Sequence, residues 1–283
     1  MKRDCLIITS LPCEATPLIK QWQLKPLRRN RTEERFQLSH NNGIYVAVSG
    51  IGKVRSAVAT SALLASGACS QPNPLVINVG IAGSSIEKVL PGTLVYINKI
   101  RDFASKSQFF PDVIVKHRLE EAPLETHDAP VTTPLDYETI VDMEASGFIQ
   151  GALTFSSPST VLLLKVISDM CDGTSITPRY ASQLIEAHTD TIWHLLETTR
   201  TLLPEPIPLN DEEQRILQSV ISHAQLSSSQ QHELSRCLTA LKAQEAKFIA
   251  PLQEILQTPI NSKTSRNTHY TKLLETLYKE TLA

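Results

Sequence analysis

The 283-residue sequence lacks the marks of several protein classes. No Cys-x-x-Cys occurs, and the five cysteines (Cys5, Cys13, Cys69, Cys171, Cys237) are odd in number and scattered. This points to neither a zinc site nor a disulfide framework, and a reducing cytoplasm is the expectation. No apolar stretch is long enough to cross a bilayer. The apolar run after Met1 is broken by Thr9, Ser10, Pro12 and Glu14, which suits a first core strand better than a signal peptide. A formal net charge of −2 supplies no basic field for nucleic acid or membrane. The 8 histidines show no metal-ligand spacing, so no metal is expected. A Gly-x-Ser-x-Gly elbow is missing too, which argues against a serine hydrolase. Gly50-x-Gly52-Lys53 fails both nucleotide-loop patterns. Arg55 stands where a dinucleotide fingerprint has its third glycine, and Val54 where a P-loop has Ser or Thr.

What is present is an ordinary globular composition, 41% hydrophobic and 20% charged. Short apolar runs predict buried strands at Leu6–Ser10, Ile44–Val48, Leu75–Val79, Thr93–Ile97 and Val161–Ile167. Ser49-Gly-Ile-Gly-Lys-Val54 opens a helix whose spacing puts Val54, Ala57, Val58, Ser61, Ala62 and Ala65 inward, with Gly67 as its C-cap. Asn41-Asn42-Gly43 is a turn signal. The span 101–140 reads as irregular, 141–154 as a helix containing Glu144, and 180–203 as one helix. Pro204-Glu-Pro-Ile-Pro208 reads as a linker. Beyond it the pattern is purely helical: a helix from Asp211, a longer one from Leu234 to Leu256 bent near Pro251, and a last one around Tyr270–Leu277. Strands alternating with helices predict an α/β domain over residues 1–203 around a central sheet, with a helical extension of unknown role over 209–283.

Ligands in open α/β sheets collect at the carboxyl ends of strands. Two glycine stretches fall there, Gly50–Gly52 and Gly80-Ile81-Ala82-Gly83. They suit a crevice lined by backbone and, equally, a pair of tight connections. Carboxylates at such ends are rarer. Glu14 follows the first strand, Glu144 precedes the 161–167 strand and Asp169 follows it. Acid/base work on a neutral substrate needs one protonated and one ionised carboxyl in environments that separate them. Phe103, Phe109 and Phe110 read as buried plugs in preference to stacking partners for a flat base.

In their order, Leu6–Glu14, Ser49–Val54, Asn78-Val-Gly-Ile-Ala-Gly83, Pro91-Gly92, Val141-Asp-Met-Glu-Ala145 and Val166-Ile-Ser-Asp169 resemble the purine nucleoside phosphorylase/nucleosidase superfamily. The nearest branch is the methylthioadenosine/S-adenosylhomocysteine nucleosidases. The resemblance spans about residues 4–203. It implies a mixed β-sheet flanked by helices, a small-molecule nucleoside as ligand, no cofactor, a homodimer or larger homo-oligomer, and cleavage of a purine N-glycosidic bond. By position it implies that Asp169 protonates the base and Glu14 helps activate water. Glu144 would bind the ribose hydroxyls, Met143 would pack beneath the sugar and Ser168 would position the leaving base. The Gly80–Gly83 stretch, with its Ile81 and Ala82, would line the substrate site. Phosphorylase relatives carry arginines near the positions of Asn78 and of Pro12-Cys13-Glu14, so water is favoured over phosphate as the acceptor. Ile81 departs from the small hydroxyl residue that nucleosidases usually have there.

Overall fold

The computed structural model describes residues 2–28, 30–69, 73–203, 207, 209–243, 246–260 and 262–281. Chain contacts divide it into two units, Met1–Pro204 and Glu205–Ala283. Among the described residues the first carries ten strands: β1 (Cys5–Thr9), β2 (Lys25–Pro26), β3 (Ser39–Asn41), β4 (Ile44–Val48), β5 (Leu75–Ser84), β6 (Leu94–Asp102), β7 (Gln108–Phe109), β8 (Glu120–Thr126), β9 (Ile140–Asp142) and β10 (Val161–Asp169). Its helices are α1 (Pro12–Gln21), α2 (Arg31–Arg35), α3 (Lys53–Ala65), α4 (Ala145–Leu153), α5 (Pro178–Glu186) and α6 (Thr189–Leu202).

All the strands join one mixed sheet. β5 is its hub. It runs parallel to β1 and β10 and antiparallel to β9. Because β10 also pairs with β6, β6 with β8 and β8 with β9, the strands β5–β10–β6–β8–β9 close into a ring. The ring brings the ends of β5, β9 and β10 together: Gly83 pairs with both Val141 and Asp169. The period-2 alternation of strands fills two cores. Leu6, Ile8, Val76, Leu163 and Ile167 pack with Ala59 and Leu63 of α3 and Phe148 and Ile149 of α4. Ile7, Ile77, Leu162 and Leu164 pack with Ala15 and Leu18 of α1 and with Ile185, Ile192 and Leu196 of α5 and α6.

Several sequence expectations change. Gly80–Gly83 is no turn; it continues β5, since these residues pair with β10. The 101–140 span holds β7 and β8. β8 reads as Glu-Glu-Ala-Pro-Leu-Glu-Thr, and its acids and proline mask its strand character. The expected helix over 141–154 begins only at Ala145, and Glu144 is its N-cap residue. The expected helix over 180–203 is two, broken at Ala187–His188. α3 buries Ser56, Ala59, Thr60 and Leu63, while Val54 and Val58 are 72% and 56% exposed, so the expected inward face is displaced around the helix. Phe103 and Phe110 are exposed, not plugs. Gly67 does follow the helix end at φ +65.

The second unit is helical: α7 (Asp211–His223), α8 (Ser228–Ala243), α9 (Ile249–Gln257) and α10 (Lys263–Thr281). Leu217, Val220, Leu234, Leu238, Leu252 and Leu277 share a core of their own. The single bent helix expected across Pro251 is instead α8 and α9, with Pro251 in the first turn of α9, where a proline costs no hydrogen bond. Apart from Ile207, the expected linker 204–208 lies outside the described residues.

Candidate active site

Where β1, β5, β9 and β10 end, a cavity of about 210 Å³ opens. Glu14, Ile81, Ala82, Gly83, Met143, Glu144, Ser168 and Asp169 all line it. Of the residues that the resemblance places in the site, Gly80 alone is not on the wall. It lies behind Glu14, where a Cβ would come within 3.0 Å of Oε1. Ser10, Leu11, Ile51, Ala129, Pro130, Val131, Val141, Asp142 and Ile176 complete the lining. The lining thus combines four carboxylates, those of Glu14, Asp142, Glu144 and Asp169, with aliphatic side chains. Among the described lining residues there is no lysine, arginine, histidine or aromatic ring.

Glu14 is fully buried in the first turn of α1. Its Oε2 accepts hydrogen bonds from the Ser10 N–H (2.8 Å), the Ser10 hydroxyl (2.8 Å) and the Leu11 N–H (2.9 Å). Its Oε1 accepts from the Ile81 N–H at 2.9 Å. A carboxylate has about four acceptor positions, and Oε1 is the oxygen with one to spare.

Glu144 faces it from the start of α4. An N-cap side chain ordinarily turns back onto its own helix, but Glu144 makes no such bond. Other residues do that work. Asp142 Oδ2 accepts from the Ala145 N–H (2.9 Å), and Thr126 Oγ1 accepts from the Ser146 N–H (2.9 Å). Glu144 Oε1 is left to accept from the Gly52 N–H at 2.7 Å. Gly52 sits at φ +100, a backbone region that favours glycine. The Gly50–Gly52 turn therefore serves the site through one N–H, with no nucleotide loop involved. Burial first, then the neighbouring charge of Asp142, push Glu144 up to about 7, against the pull of Lys165 and of the Gly52 N–H.

Asp169 ends β10. Its Oδ1 accepts from the Cys171 N–H (2.9 Å) and its Oδ2 from the Ser168 hydroxyl (2.6 Å), which also lies 3.1 Å from the Ala82 carbonyl. The carboxyl is thus clamped at both oxygens. Glycine at 83 permits this, because a Cβ there would meet Cys171 Sγ at 2.9 Å and Asp169 Oδ1 at 3.2 Å.

Two polar residues escaped the sequence reading. Asp142 bonds the Thr126 hydroxyl (2.8 Å) and pairs with the buried Lys165 ammonium at 2.9 Å. Lys165 had a visible signal: it is the lone charge inside Val-Leu-Leu-Leu-Lys-Val-Ile. A further network braces the rim. Asp102 Oδ2 accepts from the Ser146 hydroxyl (2.7 Å) and from Lys53 (3.0 Å), and Lys53 also pairs with Asp128, next to the wall residues Ala129–Val131. None of the phenylalanines read as buried plugs lines the cavity, and Phe109 is half-buried against the first core. Phe103 stacks on His127 at 4.4 Å, and Phe110 sits 5.8 Å beneath Lys99 Nζ. Among the described residues no cluster of three or more His, Cys, Asp or Glu could hold a metal, and no helix is long and apolar enough to cross a membrane.

Residues 4–138 match the family model described as the phosphorylase superfamily. A search of curated proteins finds no match. Solved structures do match. The 5'-methylthioadenosine/S-adenosyl homocysteine nucleosidase of Campylobacter jejuni is 13% identical, covering 71% of this chain and 100% of its own, with a TM-score of 0.57. The Arabidopsis thaliana 5'-methylthioadenosine nucleosidase in apo form is 17% identical (70% and 96% covered, TM-score 0.55). A futalosine hydrolase mutant of Helicobacter pylori is 15% identical (70% and 98%, TM-score 0.51). The sequence match ends before Glu144, Ser168 and Asp169, so their placement rests on the fold. In sequence over residues 4–138, and in fold over about 70% of its length, the chain resembles the phosphorylase superfamily and its methylthioadenosine/S-adenosylhomocysteine nucleosidases.

Proposed function

We propose that this protein hydrolyses the N-glycosidic bond of a purine nucleoside, releasing free base and the ribose moiety. The observation that carries the reading is the meeting of Glu14, Glu144 and Asp169 in one cavity whose described lining holds no cation. Glycoside cleavage builds positive charge on the sugar and negative charge on the departing base. Asp169, held at both oxygens, hands a proton to the base; a positioned general acid contributes about 10²–10⁴-fold. Ionised Glu144 binds the ribose hydroxyls and stabilises the oxocarbenium-like sugar, which rests on Met143. The open acceptor position of Glu14 Oε1 orients the attacking water. Ser168 acts through Asp169 by holding Oδ2. A phosphate co-substrate needs cationic partners, and the acidic wall repels one, which favours water as acceptor. The aliphatic wall of Ile51, Ala129–Val131 and Ile176 suits an uncharged substituent.

The chain functions in the cytoplasm as a homo-oligomer. The exposed apolar row Ile51, Val54 and Val58, running from the cavity rim along α3, supports a self-association face. The test is to incubate the pure protein with a panel of purine nucleosides, with and without phosphate, and to follow free base. Release without phosphate is expected. Release strictly dependent on phosphate would replace hydrolysis with phosphorolysis. Nucleoside binding with no release would instead favour a sensing or scaffolding module that uses the separate helical unit to reach a partner.

A further inference from the structure

We propose that Lys165 is the positioning residue of the sugar site: through Asp142 it frees the Glu144 carboxylate to face the cavity, and its charge lets the buried acids share one small volume. This rests on the nucleosidase reading for the identity of the ligand, but its geometry stands apart from that reading.

Lys165 is 1% exposed in the middle of β10, and Asp142 supplies its one ion pair among the described residues, at 2.9 Å. Lys165 is outside the cavity lining, whereas its partner Asp142 is one of the lining residues. Asp142 Oδ2 takes both the Lys165 ammonium and the Ala145 N–H, so the lysine fixes the oxygen that caps α4. Asp142 Oδ1 takes the Thr126 hydroxyl, and Thr126 in turn takes the Ser146 N–H. The Ala145 and Ser146 N–H groups are therefore capped from β9 and β8 and the Gly147 N–H turns to the Glu144 carbonyl (3.0 Å), so the first turn of α4 makes no use of the Glu144 side chain. With those N–H groups satisfied by Asp142 and Thr126, the Glu144 side chain is left to the Gly52 N–H and the cavity.

Charge tells the same story. Glu144 is faced by Asp142 from β9, by Glu14 from α1 and by Asp169 across the cavity, with Lys165 from β10 as the buried cation. Lys53, the neighbour of Gly52, is held by Asp102 and Asp128. Burial by itself would lower the Lys165 pKa, but Asp142 and Glu144 raise it above its ordinary value, so the ammonium stays charged. Removing that charge leaves Glu144 among like charges and drives it toward its neutral form.

The experiment follows Glu144 directly, by carboxyl-carbon NMR of protein labelled at glutamate, with Glu144→Gln assigning the signal. Lys165→Met is expected to move the Glu144 titration midpoint up by about one pH unit or more, and Lys165→Arg to keep it in place. Asp142→Asn, which removes the like charge, moves it down and serves if Lys165→Met does not fold. In parallel, KM at neutral pH rises about tenfold in Lys165→Met and recovers in alkali, because a midpoint moved by one unit changes the ionised fraction up to tenfold. A midpoint unmoved in a folded Lys165→Met, or unmoved in Asp142→Asn where Lys165→Met does not fold, overturns the proposal, as does a KM change independent of pH. If the wild-type protein releases no base, the nucleosidase reading fails while the NMR arm still decides the role of Lys165.

Discussion

Gly147, in the first turn of α4, lies against the start of α3. A Cβ at 147 would fall 1.8 Å from the Lys53 carbonyl oxygen, 2.5 Å from its carbonyl carbon and 2.8 Å from its Cα. All three are backbone atoms, so no rotamer change relieves the clash. In a helix interior, Gly→Ala ordinarily stabilises by about 0.5–1 kcal/mol. Overpacking ordinarily costs about 1–3 kcal/mol and sometimes more. Here the helices must separate by over an ångström, so the steric cost wins and Gly147→Ala is destabilising by roughly 2 kcal/mol or more. For a unit of this size that lowers Tm by about 4–8 °C. The separation also pulls Lys53 and its neighbour Gly52 away from α4, stretching the 2.7 Å bond to Glu144. Sugar binding should therefore weaken more than chemistry: KM rises and kcat changes less. The assays are urea unfolding followed by near-ultraviolet circular dichroism, and steady-state kinetics on the panel substrate. A variant as stable as wild type, or more so, refutes this account of the α3–α4 contact.

Glu144 titrates near 7 in the fold against an ordinary 4.5, so the stability it contributes is present below about pH 4.5 and is lost as pH rises through 7. Glu144→Gln should gain on wild type by on the order of 2–3 kcal/mol between about pH 4.5 and about pH 8, read from unfolding curves, while sugar binding is lost. In the wild type, base release should fall as pH drops below about 7, because it needs the ionised form. Glu14→Gln keeps one oxygen for the three donors at Oε2 and turns its NH₂ toward the Ile81 N–H, so it should cost about 1–3 kcal/mol of stability as well as activity. Val58→Glu should convert an oligomer to monomer in light scattering without unfolding it, since Val58 is 56% exposed.

The sequence was most legible where local chemistry is strong. Apolar runs ending in a carboxylate placed β10 and Asp169, and Gly67 marked the end of α3. It was least legible where ring closure overrides local preference. β8 forms from an acid-rich, proline-containing segment because β6 and β9 flank it in the ring. Gly80–Gly83 stays extended because β10 pairs along it. The cavity shows the same split. Carboxylates at strand ends are visible in one dimension. That Asp142 and Thr126 cap α4 in place of the Glu144 side chain is a fact of two strands, β9 and β8, meeting at its start. The aliphatic wall 129–131 had no pattern to announce it, and Phe103 and Phe110, read as buried plugs, are exposed against His127 and Lys99.

The central claim is that Asp169 delivers a proton to a departing purine in the cavity it shares with Glu14 and Glu144. The most direct measurement compares base release by wild type and Asp169→Asn on a nucleoside that the wild type cleaves in the absence of phosphate, with nucleoside binding measured alongside. The account predicts that the variant binds the nucleoside and loses about 10²–10⁴-fold in kcat. Wild-type turnover by Asp169→Asn would contradict it.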